Sequence, residues 1–192
     1  MKLRTTATCA VFFILTTASA MADAIVHGTG QIYTATGANV KLIGNFGGVI
    51  VGADNIHLDL STAAIQCTGD VGIDMVNRYG VNITGGSMSQ CWIGIGILGG
   101  GRNQITGLTS TGHGGFGIIL DGSSNNRITA ARLNGHDYGI LATNASNNNI
   151  TGSVISNSAD HGIWVMFGTR NSITGNVVTG GLVGIEFMYG SV

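Results

Sequence analysis

The chain has 192 residues, with 8 basic and 9 acidic side chains, a formal net charge of −1 and only 9% charged residues. So few cations exclude the basic face that nucleic acid requires. Thirty-three glycines, no proline and no sustained 3.6-residue apolar period exclude a helical protein, because each interior glycine costs a helix about 1 kcal/mol. Solubility must rest on Asn, Ser, Thr and Gly.

The N-terminus reads as an export signal. Lys2 and Arg4 precede an apolar run from Ala10 to Leu15, and Ala18-Ser19-Ala20 follows. Cleavage after Ala20 or after Ala22 satisfies the small-x-small rule, so residues 1–22 are expected to leave. The run is too short to span a bilayer, and no later segment is a candidate span. The exported chain, periplasmic or extracellular, keeps 6 basic and 9 acidic residues, a net charge near −3. Residues 23–50 follow, with Ile25-Val26 and Val40-Lys41-Leu42-Ile43, and are expected to form an N-terminal cap or an incomplete first rung.

From residue 51 to residue 192 the chain repeats. Gly-Ile recurs at Ile73, Ile95, Ile118, Ile140, Ile163 and Ile185, at steps of 22 or 23 residues. Ile-Thr follows ten residues later at Ile83, Ile105, Ile128, Ile150 and Ile173. Five residues further lies a mostly apolar column: Met88, Ser110, Leu133, Ile155 and Val178. Each unit therefore holds three short strands separated by Gly, Asn, Ser and Asp, which favour turns. Such a period implies a stacked, quasi-one-dimensional fold. The expectation is an all-β, right-handed parallel β-helix of about 6–7 rungs. Asn103, Asn126, Asn148 and Asn171, each two residues before its isoleucine, are expected to hydrogen-bond up the stack, with Val81 ending that ladder.

Cys9 departs with the signal. Cys67 and Cys91 fall near the same rung position, nine residues after Leu58 and eight after Ile83. Neighbouring rungs bring such Cα atoms within disulfide reach, and an exported compartment favours oxidation. The alternative is a pair of buried thiols.

The polar cluster with most chemical potential precedes the Gly-Ile strand. His113 and His136 share one position on successive rungs, Asp137 and Asp160 share another, and His161 follows Asp160. Asp137, Asp160, His136 and His161 are the candidate catalytic set for acid–base work, with a divalent metal only in that enzymatic reading. The same residue types are also ordinary turn formers. Ile119, Leu141 and Trp164 take the outward slot after Gly-Ile, between Asp74, Gly96 and Glu186. Trp164, with Arg132 and His113, is the candidate sugar-binding set. The threonines at 84, 106, 129, 151 and 174 form an outward hydroxyl column, which β propensity alone explains. No cofactor or resident metal site is evident in the sequence.

The recurring Asn-x-Ile-Thr-Gly and Gly-Ile pattern resembles the right-handed parallel β-helix repeat family of the pectin-lyase-like superfamily. Val51 to Leu60 resembles the first rung of such proteins. That resemblance implies polysaccharide as ligand or substrate, through a lyase, hydrolase or epimerase if there is turnover. Asp160-His161-Gly162 resembles the His-Gly element of polygalacturonases, but the Asn-Thr-Asp, Asp-Asp and Arg-x-Lys elements have no counterpart here. A resemblance also extends to periplasmic β-helix proteins that assist copper loading of nitrous-oxide reductase. Few histidines and no Met- or Cys-rich cluster set that reading behind glycan binding. The last strand is followed by no polar capping segment, so a third reading is a structural module that self-associates through its C-terminal rung.

Overall fold

In the Gly-Ile pairs from Gly72 to Gly162 the glycine carbonyl of one rung lies where a side chain on the glycine of the rung before it would be. A Cβ on Gly72 would stand 2.6 Å from Gly94 O, one on Gly117 2.5 Å from Gly139 O, and one on Gly139 2.5 Å from Gly162 O. None of these glycines has a positive φ, so close approach and not turn geometry demands them. The computed structural model describes residues 12–13, 23–27, 31–33, 39–67, 70–112 and 114–190, with side chains from residue 39 onward. The expected signal, Phe12–Phe13 apart, lies outside these residues.

Parallel strands coil into a right-handed β-helix of about seven rungs, the hand that parallel crossovers favour. Among the described residues there is no helix, and therefore none long and apolar enough to cross a membrane. The first sheet joins Gly48–Ile50 to the Gly-Ile strands Val71–Val76, Ile93–Leu98, Phe116–Asp121, Tyr138–Thr143, His161–Met166 and Val183–Met188. In the second sheet one ten-residue strand, His57–Gln66, pairs with both Asn82–Thr84 and Ser87–Ser89. From there on, each rung splits that strand into two of three residues. The splitting residue is left-handed: Gly85, Gly107, Ala130, Gly152 and Gly175 all have φ between 53° and 69°.

Upstream of residue 51 the described strands extend both sheets. Asn39–Phe46 joins His57–Gln66 with a register shift between Lys41 and Ile43, and Asp23–His27 joins Asn39–Phe46. Gln31–Tyr33 pairs with Gly48–Ile50 and with Phe12–Phe13.

Isoleucines 73, 95, 118, 140 and 163 and 83, 105, 128 and 150 stack in the interior and are buried. At the far end the stack is open among the described residues. Ile185 and Phe187 are 43% and 46% exposed, whereas Ile163 and Val165, one rung back, are fully covered.

The asparagines form the expected ladder. The Oδ1 of Asn103, Asn126, Asn148 and Asn171 accepts the amide N–H of Val81, Asn103, Asn126 and Asn148, at 2.8–3.0 Å. Their Nδ2 groups donate to Arg78 O, Ser123 Oγ, Ser123 O and Ala145 O. Burying an amide is tolerable only when it is satisfied in this way. Cys67 and Cys91 are joined by a disulfide between neighbouring rungs, with Cα atoms 4.9 Å apart.

Two substitutions test this account by denaturant midpoint. Gly139→Ala sets a methyl against Gly162 O and the Ile155 side chain and should cost about 3 kcal/mol. Gly96→Ala, whose new methyl meets nothing nearer than 3.8 Å, should be nearly neutral; equal effects would refute the close-approach argument. Ala130, exposed at φ 53°, carries the left-handed penalty that its column otherwise avoids with glycine. Ala130→Gly should gain about 0.5–1 kcal/mol.

Candidate functional site

Each rung turns two first-sheet side chains to the same outer face, one two residues before the inward isoleucine and one directly after it. The registers stack the first column as Val71, Ile93, Phe116, Tyr138, His161 and Val183. The second column is Asp74, Gly96, Ile119, Leu141, Trp164 and Glu186. Rungs about 4.8 Å apart bring rings of one column face to face. Phe116 stacks on Tyr138 with centroids 5.0 Å apart and planes 15° apart. Tyr138 stacks in turn on Trp164 at 5.6 Å and on His161 at 5.9 Å, and those two lie 4.7 Å apart. The inner rings thus spend their faces on one another. Trp92, in the preceding turn, meets Phe116 edge-on at 6.5 Å and 85° and is 54% exposed. It offers the largest open ring surface of the row.

Carboxylates border the rings. Asp137 and Asp160 are on adjacent rungs, with Asp160 N–H donating to Asp137 O at 2.9 Å. Asp137 Oδ2 accepts Gly115 N–H at 2.9 Å. A methyl on Gly114 would touch both that oxygen (3.5 Å) and Trp92 Cζ3 (3.4 Å), so indole and carboxylate share one corner. Asp160 Oδ2 accepts the Tyr138 hydroxyl at 2.8 Å; that bond raises the Tyr138 pKa above the ordinary phenol value, with burial adding to it. Asp160 Oδ1 lies 3.0 Å from His161 Nδ1, without hydrogen-bond alignment. Glu186 Oε2 holds the other ring nitrogen at 2.6 Å. Tyr138, Asp160, His161 and Glu186 therefore form one connected chain across three rungs. Asp74 stands beside the gap at Gly96, and burial raises its pKa.

Of the sequence-derived candidates, Asp137, Asp160, His161 and Trp164 come together on this face. His136 does not. It is 2% exposed and points inward, with Nε2 3.3 Å from Ser110 O and Nδ1 without a partner. Its ring lies against Gly112, where any Cβ would collide with it. Arg132 projects from Arg132–Asn134 of the second sheet, in register with Thr109 and Val154. His113 lies outside the described residues. Sequence reasoning missed Phe116, Tyr138 and Trp92. The available signal was an aromatic or imidazole ring at one position of three consecutive rungs.

Burial holds the His136 pKa below its usual 6.5, against smaller opposing effects of Ser110 O and Asp137. The unfolded chain then takes up the proton first as pH falls. Its contribution is complete above about pH 6.5 and is lost on acidification through 6.5 towards the lowered native value. Wild type should lose urea stability between pH 7.5 and pH 5 more steeply than His136→Leu; parallel profiles would refute the buried neutral imidazole.

A family model described as "NosD: Periplasmic copper-binding protein" matches residues 54–192. No curated protein matches the chain. A solved structure, "Crystal structure of pectate lyase Pel9A", is similar over 96% of this chain at 14% identity and a TM-score of 0.46. The chain spans 66% of that structure's length. Copper, which the family description names, needs several converging soft or imidazole donors. Among the described residues no three His, Cys, Asp or Glu side chains are so placed, Cys67 and Cys91 are tied as a disulfide, and His161 is engaged by carboxylates on both nitrogens. The donors among the described residues do not fit a resident copper ion.

Proposed function

The chain belongs to the NosD family, and from that premise we propose that it is an exported β-helix protein that binds polysaccharide on the outer face of its first sheet. The family's description as periplasmic supports that compartment. One observation carries the ligand class. An exposed indole, Trp92, continues a row of aromatic rings whose borders are hydrogen-bonding carboxylates. Sugar rings present an apolar C–H face and a rim of hydroxyls, which call for an open aromatic surface and adjacent acceptors. Trp92 supplies the platform, Asp137 accepts hydroxyl protons beside it, and Tyr138 and Trp164 stiffen the row behind it.

A second reading, turnover of the same glycan, draws support from the Tyr138–Asp160–His161–Glu186 chain. There Asp160 and His161 would exchange protons with the substrate, and Asp137 would act from the neighbouring rung.

The test is a polysaccharide panel on the purified protein. Binding is measured by calorimetry, and new reducing ends and unsaturated uronates are followed in the same samples. Binding that weakens about tenfold in Trp92→Ala and is unchanged in Arg132→Ala is the expected result. Reducing ends or unsaturated products that vanish in Asp160→Asn would establish turnover. Binding to no glycan would sink both readings.

A further inference from the structure

The two sheets divide the protein's charge. Eight acidic residues lie from Asp54 onward, and six of them belong to the first sheet or the turn that leads into it. Asp74, Asp121 and Glu186 project from its strands, in register with Gly96, Leu98 and Trp164. Asp70, Asp137 and Asp160 occupy the preceding turn, their carbonyls accepting the amides of the next rung. No lysine or arginine lies on this sheet among the described residues. All six described cations are elsewhere. Lys41, Arg127 and Arg132 are on the second sheet. Arg78, Arg102 and Arg170 are at or beside the corners that lead into it, the latter two in left-handed conformation.

Hydrogen bonds do not cancel this field. Tyr138 OH and Gly115 N–H satisfy oxygens of Asp160 and Asp137 but bring no net positive charge, and the face's one described imidazole, His161, lies between two carboxylates, Asp160 and Glu186, so the acids stay in excess. Asp74, half-buried beside the Gly96 gap and between Ile50 and Ile119-bearing rungs, has no hydrogen bond or ion pair to its carboxylate among the described residues. Its raised pKa agrees with an acid lacking a counter-charge. The surface around it is apolar, with Val76 and Leu98 both exposed. The face therefore combines aromatic and aliphatic surface with negative potential. That pairing attracts a cationic ligand with an apolar body and repels uronate polymers.

We infer that the ligand of this face is a polysaccharide bearing free amines, a polymer of de-acetylated hexosamine. This rests on the glycan reading above and names its chemical class. Ammonium groups would seat against Asp74, Asp137 and Asp160 while a ring of the chain lies on Trp92.

The experiment compares oligosaccharides of one backbone, glucosamine and N-acetylglucosamine, with oligogalacturonate and with oligolysine of matched charge. The expected result is amine-bearing glycan bound on the order of tenfold tighter than its acetylated twin, with the advantage lost at high salt. The advantage should shrink in Asp137→Asn and in Asp74→Asn with Asp121→Asn, the second pair avoiding the Tyr138 and Gly115 contacts. It should persist in Arg127→Gln with Arg132→Gln. Equal binding of both twins, still dependent on Trp92, would overturn the charge inference and leave glycan binding standing. Preference for oligogalacturonate would overturn it and move the ligand to the arginine-bearing sheet. Oligolysine bound as tightly and without need of Trp92 would overturn the glycan assignment in favour of a cationic peptide. Binding of none would defeat both proposals.

Discussion

The close approach of successive rungs at the Gly-Ile glycines governs the rest of the molecule. A carbonyl oxygen 2.4–2.6 Å from a would-be Cβ allows one residue type at that position, and its repetition from Gly72 to Gly162 locks the register. Register in turn converts a linear period into columns: isoleucine over isoleucine, asparagine over asparagine, ring over ring. The interior gains burial without needing a thick core, because each rung's floor is the next rung's ceiling. Where a described rung has no neighbour, as at Ile185 and Phe187, the same side chains lie open.

The asparagine ladder illustrates how a polar column survives in that interior. Each side-chain carbonyl takes the main-chain N–H of the rung before it, and each amide finds a carbonyl or hydroxyl in the adjoining turn. A single gap in such a series leaves a buried donor unpaired, which costs about 1–3 kcal/mol. Val81 closes the series without such a gap, since it contributes only its main-chain N–H. A second column is related: Ser153 Oγ accepts from Ala131 N–H, and Asn176 Oδ1 accepts from Ser153 N–H. The sheet's corner thereby passes from apolar to polar along the stack.

The inward columns were legible in the sequence because period alone places them. The ring column was not, and the reason is local. Strict alternation sets a residue two before an inward isoleucine on the inward side. The pairing skips the intervening glycine at each rung, as in Ile93↔Phe116 followed by Ile95↔Ile118. The glycine takes an inward place, as the side chains its Cβ would meet show: Ile155 for Gly139 and Val178 for Gly162. Phe116, Tyr138 and His161 are thereby turned outward. The same geometry separates His136 from Asp137, neighbours in sequence that face opposite ways. Reading two-residue periodicity through such a glycine is bound to misplace such pairs. Trp164 was legible as outward, but only the register reveals that Tyr138 and His161 already occupy its ring.

Stacking like over like carries an electrostatic cost, and the distribution of acids shows how this chain limits it. Carboxylates one rung apart repel, so Asp74 lies between Ile50 and Gly96, and Glu186 follows Trp164. The exception is Asp137 over Asp160, and there each carboxylate has its own donor: Gly115 N–H for one and Tyr138 OH for the other. His161, set between Asp160 and Glu186, is the basic side chain of the group. These contacts stabilise the pair locally without importing a lysine or arginine, although six such cations are available on other surfaces. A chain needing only a stable stack would gain by interleaving those cations with the acids across strands. Keeping them apart leaves the acids in excess beside an exposed aromatic ring, and that combination serves recognition better than it serves stability.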